Sequence, residues 1–97
     1  MLTVVTISAM QRRARQWQAR RIPVQRARAA VASAPRPAAK LKQQLRALTA
    51  TQPQARPDYI EFFDPQTLLP VRQARQGTRL ALAVFIGQTR LIDNAAL

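Results

Sequence analysis

The sequence predicts an α+β fold: short helices packed on a small, mainly antiparallel sheet that ends in a C-terminal β-hairpin. Three stretches predict it. Leu80–Ile86 is an unbroken apolar run that meets Gly87-Gln88, and a second short run, Thr89–Ile92, follows and ends at Asp93-Asn94. Two β-prone segments around a Gly-X pair form a tight hairpin, because Gly supplies the positive φ that a type II′ turn needs at its first position. Upstream, Leu41, Leu45 and Leu48 recur at i, i+4 and i+7, the stripe of an amphipathic helix suited to cover one face of a sheet. Between them, Asp58–Asp64 alternates, with Ile60 and Phe62 facing one way and Tyr59, Glu61 and Phe63 the other.

Composition narrows the chemistry. The chain has 97 residues, enough for one small domain that buries only about 60–65% of its unfolded surface. It has no Cys and no His, which removes disulfides, thiolate metal sites and the commonest general base and metal ligand. Its carboxylates are Asp58, Glu61, Asp64 and Asp93 alone. A self-contained hydrolase or metalloenzyme is hard to build from that set. The net charge of +12 is also lopsided: residues 1–56 hold twelve Lys or Arg and no acid, and residues 57–97 hold four of each sign. Such an asymmetry fits an anionic partner, and it equally fits solvated helix faces written in Arg and Ala.

In chain order, Met1–Met10 is a short apolar run followed by basic residues. It is too short to span a bilayer, which takes roughly 20 residues, and it lacks the charged n-region of a secretory signal; an organelle transit peptide shares its composition. From Gln11 to Ala34, Ala, Arg, Gln and Val favour helix, and Pro23 divides the stretch into two short helices with a bend near Arg21–Pro23. Met10, Ala14 and Trp17 mark one apolar stripe, and Val24, Ala27 and Val31 the other. Trp17 reads as a packing anchor. Pro35-Arg36-Pro37 ends this arm, and the leucine-striped helix runs over 38–50, closed by Pro53 and Pro57. After the strand, Asp64-Pro65 signals a turn, and Pro70 confines Thr67–Val71 to an edge or irregular structure. Val71–Thr78 reads as a polar loop carrying Arg72 and Arg75. The hairpin's first strand lacks polar alternation, so both its faces are expected to be covered, one by helices and the other by chain or partner.

These residues resemble a known family. Asp58-Tyr59-Ile60-Glu61, Asp64-Pro65-Gln66-Thr67-Leu68, Leu80-Ala81-Leu82-Ala83-Val84, Gly87 and Arg90-Leu91-Ile92-Asp93-Asn94 are similar, in order and spacing, to the C-terminal lid domain of pantothenate synthetase (pantoate–β-alanine ligase). The pattern is a D-Y-x-E strand, a D-x-x-T-L turn, an apolar strand, a hairpin Gly and R-L-I-D-N. The match covers about forty residues, and the chain is cyanobacterial-like and reads as a fragment of such a ligase. Residues 38–97 then form the lid domain, and residues 1–37 a less well matched Arg-rich helical arm.

The resemblance implies an ATP-dependent ligase of the cytoplasm that activates pantoate as an acyl-adenylate, releases pyrophosphate and lets β-alanine attack. It implies ATP and Mg for the whole enzyme, with neither bound by this chain alone, no membrane, and an N-terminal Rossmann-like catalytic domain as partner. That domain carries the family's His-x-Gly-His motif, and a Ser-Ser-Arg-Asn motif opens the C-terminal domain. This sequence contains neither motif, so no catalytic, cofactor-binding or metal-binding residue carries over. What carries over is scaffold: Asp58, Tyr59, Glu61, Asp64, Thr67, Leu68, Gly87, Arg90, Leu91, Ile92, Asp93 and Asn94. Arg90 and Asp93 are expected to pair at the hairpin end, Asn94 to cap or turn the chain, and Glu61 and Asp64 to serve as sheet-edge and turn residues. The alternative is a small basic nucleic-acid-binding protein using the Arg-rich helices of residues 11–56, although no zinc-finger spacing or RNA-recognition strand motif supports it. A membrane-surface helix is the weakest reading, since the Trp17 stripe offers little apolar area.

Overall fold

The structure, a computed structural model, describes residues 9–97. The run at residues 1–8 lies outside them, as do the side chains of Met10 and Ala14. The elements are α1 (Ala9–Arg20), α2 (Ile22–Val31), β1 (Arg36–Pro37), α3 (Ala38–Ala50), β2 (Ala55–Phe63), β3 (Gln73–Ala74), β4 (Arg79–Ile86) and β5 (Thr89–Ala96). Strands β2, β4 and β5 form an antiparallel sheet with β4 in the centre, and β1 pairs antiparallel with β3 in a second, minimal sheet. The fold is α+β and ends in the hairpin. No helix among the described residues is long and apolar enough to cross a membrane.

The hairpin forms where the Gly-X pair lies. Ile86 pairs with Thr89, Gly87 has φ 62°, and Gln88 is not among the residues with positive φ. A positive φ at the first central residue alone is the type II′ pattern. The Gly87 N–H donates to the Gln54 carbonyl at 3.1 Å, which ties the hairpin tip to the connection between α3 and β2. The hairpin extends further than the sequence suggests, from Arg79 to Ala96.

One face of the sheet builds the core. Leu80, Leu82, Val84 and Ile86 from β4, Ile60 and Phe62 from β2, and Leu91 and Ala95 from β5 are all buried there. Leu41 and Leu45 of α3, Val24, Ala27 and Val31 of α2, and Trp17 of α1 belong to the same cluster. The described part of residues 1–37 therefore has no separate core. Leu48 is only half-buried, and Thr49 takes its expected place. Its hydroxyl donates to the Leu45 carbonyl at 2.8 Å, so it enters the core with no orphaned polar atom.

The bend between the first two helices falls at Arg21, which has a left-handed backbone (φ 50°, ψ 45°). Its N–H closes α1 on the Trp17 and Gln18 carbonyls. Pro23 then sits in the first turn of α2, where its missing N–H costs nothing.

Two local expectations need correction. Pro57 does not close the helix region; it lies inside β2, which starts at Ala55. Proline is tolerated there because β2 is an edge strand and the register slips between Pro57 and Tyr59, leaving Asp58 as an extra, unpaired residue. The 71–78 segment is not only loop. It contains β3, buries Ala74 and Thr78, and supplies the Arg72 carbonyl that accepts the Ala38 N–H at the start of α3 (2.8 Å).

Candidate functional site

Strand alternation gives the sheet a second face, turned away from the helices. Tyr59 and Phe63 of β2, Ala81, Ala83 and Phe85 of β4, and Ile92 of β5 share it through the pairs Tyr59–Ala83, Phe63–Arg79, Arg56–Phe85, Ala83–Ile92 and Phe85–Arg90. Apart from Ala83, these positions are half-buried or exposed, Ile92 being 54% exposed. Two arginines cover part of the face. The Arg56 guanidinium lies 4.9 Å from the Phe85 ring centre, and that of Arg90 lies 5.9 Å from Phe85 and 5.8 Å from Tyr59. Such cation–π contacts at exposed sites are worth about 0.5–1 kcal/mol each.

The family-pattern residues fall in four places. On the outer face, Arg90 donates to Asp58 Oδ2 from Nε (3.1 Å) and Nη2 (2.8 Å). The bulge at Asp58 makes that possible. Tyr59 packs beneath the same guanidinium. At the strand edge, Glu61 accepts from Lys42 of α3 at 3.0 Å. Across the sheet, Leu91 is core, and Asp93 takes a two-pronged contact from Arg21, Nε to Oδ2 and Nη2 to Oδ1, each at 2.9 Å. That contact pins the joint between α1 and α2 to the hairpin, and it raises the Arg21 pKa through the hydrogen bond first and the charge second.

The fourth place is the Asp64 turn. Asp64 Oδ1 accepts the N–H groups of Gln66 (2.8 Å) and Thr67 (2.9 Å). Those backbone donors favour the carboxylate and hold its pKa below the usual range, Thr67 contributing most. Thr67 Oγ1 accepts the Leu69 N–H, and Leu68 adopts φ 60° with its side chain 68% exposed. Glu61 and Asp64 thus act as edge and turn residues.

Arg90 and Asp93 do not pair with each other. They are three residues apart on one strand, so their side chains leave opposite faces. Asn94 neither caps nor turns the chain: it lies within β5 and its Oδ1 accepts from Arg79 Nη2 at 3.1 Å. Nothing in the sequence marks Arg21, Arg56, Phe85 or Arg79 for these contacts. Only the Phe85 and Arg90 pairing across a two-residue hairpin was available in the sequence.

These pairings decide what the chain can hold. All four carboxylates are committed, to Arg90, Lys42, the 64–67 turn and Arg21 respectively. Among the described residues no three potential metal ligands converge. Part of the basic surplus is structural as well. Arg28 donates to the Ala96 carbonyl and Arg36 to the Ala30 carbonyl, whereas Arg15, Arg20, Arg26, Lys40 and Arg46 lie exposed on the helices.

A small α+β scaffold, helices on one sheet face and arginine-bridged aromatics on the other, is the class of protein that this geometry defines. The sequence model for pantoate–β-alanine ligase matches residues 5–96. The pantothenate synthetase of Koribacter versatilis is 48% identical over 52 residues, covering 54% of this chain and 18% of that protein. The bifunctional pantoate ligase/cytidylate kinase of a Synechococcus strain is 49% identical over 45 residues, 46% of this chain and 8% of that protein. A crystal structure of pantothenate synthetase from Thermus thermophilus superposes with a TM-score of 0.67 at 25% identity, covering 95% of this chain and 32% of that one. The chain belongs to the pantoate–β-alanine ligase family, matches its C-terminal part, and spans less than a fifth of the two curated relatives' lengths.

Proposed function

We propose that this chain is the C-terminal lid part of an ATP-dependent ligase that joins pantoate to β-alanine, and that it is inactive alone. Residues 38–97 are the lid domain, and residues 1–37 the arm that leads into it. The partner is an N-terminal Rossmann-like domain in the same cytoplasmic enzyme, where ATP and Mg bind and pantoyl-adenylate forms. The lid closes over that intermediate and keeps water away until β-alanine attacks. Its twelve family-pattern residues are scaffold; none is catalytic.

The carrying observation is the family match over residues 5–96, in a sequence without His whose carboxylates are all committed. The test is pyrophosphate release by the pure 97-residue chain supplied with ATP, Mg, pantoate and β-alanine. The expected rate equals the protein-free blank, and sustained turnover would overturn the proposal.

A further inference from the structure

A cleft of about 630 Å³ opens away from the outer sheet face, between the Asp64 turn and the 71–78 segment. Its volume falls within the range of small-molecule sites, roughly 300–1,000 Å³. Arg72 and Arg75 line it, and neither guanidinium makes an ion pair or hydrogen bond with any described residue. The lining carboxylate, Asp64, already accepts two backbone N–H groups through Oδ1.

The backbone beneath these arginines is held in place. Val71 N–H donates to Phe62, the Arg72 carbonyl accepts from Ala38, and the Arg75 carbonyl accepts from Thr78 N–H. The Arg75 N–H donates to the buried Thr78 hydroxyl at 3.0 Å, and Gly77 N–H donates to the Leu97 carbonyl at 2.8 Å. The hydrogen-bonded backbone anchors two unpartnered, exposed arginines along one cleft, which makes the cleft cationic. Two guanidinium groups match a dianion in charge, and their planar forks suit phosphate oxygens.

We propose that the cleft at Arg72 and Arg75 binds a small phosphate-bearing ligand. This site stands apart from the lid reading, because the isolated chain is what binds.

The test titrates the 15N-labelled chain with inorganic diphosphate at constant ionic strength and follows backbone amide shifts. Saturable shifts confined to Gln66 and residues 72–78 are expected. The Arg72→Gln/Arg75→Gln variant should bind at least about tenfold more weakly, with Trp17 fluorescence unchanged to show that the fold is intact. An Arg15→Gln/Arg26→Gln variant should bind like the parent. Shifts spread along the helices, an unchanged affinity in the first variant, or no saturation would each overturn the proposal. Two further arms identify the source of the phosphate. An oligothymidylate at equal phosphate concentration and malonate should each shift the site less than diphosphate does. Tighter oligothymidylate binding would make it a nucleic-acid surface and overturn the small-ligand proposal, and equal malonate binding would overturn its preference for phosphate.

Discussion

The two faces of the β2-β4-β5 sheet are made from the same strands by different means. The inner face is a closed apolar layer: Leu80, Leu82, Val84 and Ile86 share one core cluster with residues of all three helices and are at most 4% exposed. The outer face carries Ala81, Ala83, Phe85, Tyr59 and Ile92, with two arginines over the Phe85 and Tyr59 rings. Hydrophobic burial holds the first, and cation–π contacts with one exposed ion pair hold the second. The inner face should therefore carry the stability of the fold, leaving the outer face open to contacts beyond this chain.

The largest expected effect lies on the inner side. Leu45→Ala, at a position with no exposure, should destabilise by about 2–5 kcal/mol in a denaturant melt. Ile92→Ala on the outer face should change stability by less than about 0.5 kcal/mol, and equal costs for the two would erase the distinction between the faces. Next comes the turn that joins β4 to β5: Gly87→Val places a β-branched residue at φ 62° and should cost about 1–3 kcal/mol. An unchanged thermal midpoint would contradict the type II′ assignment. Arg90→Ala removes the Asp58 pair and two ring contacts, all exposed, and should cost no more than about 1 kcal/mol, with a shallower loss at high salt.

The smallest effect is the acid response of the Asp64 turn. A carboxyl whose folded pKa is depressed adds stability above its unfolded pKa, about 3.9, and loses it as pH falls through the folded value. Amide shifts at Gln66 and Thr67 should therefore hold steady down to about pH 4 and move below it, in a window that Asp64→Asn abolishes. Movement already near neutrality would place the pKa on the wrong side.

Most of this fold is legible in the residues. Gly87 announces the hairpin, Leu41 and Leu45 the helix that covers it, and Trp17 the anchor of the arm, because each follows from a local rule of φ, periodicity or size. The β1–β3 pairing was not legible, since two residues per strand carry no alternation. Arg21 is harder still. Nothing marks an arginine for left-handed backbone, and its partner Asp93 lies 72 residues away. The Arg90–Asp93 pairing was legible in the negative, because an odd separation on a strand sets side chains on opposite faces. Of the proposed site, Arg72 and Arg75 were visible as residues, but their missing partners depend on where every carboxylate ends up.

The lid claim is tested most directly by adding the chain in trans to the rest of such a ligase. A pantothenate synthetase would be cut just ahead of the segment matching residue 5, keeping the His-x-Gly-His and Ser-Ser-Arg-Asn motifs. The yield of pantothenate per pyrophosphate released would then be measured with and without this chain. A low yield is expected for the truncated ligase, as uncovered adenylate is lost to water, and a rise toward one when the chain is added. A yield that the chain leaves unchanged, despite demonstrated binding, would contradict its role as the lid.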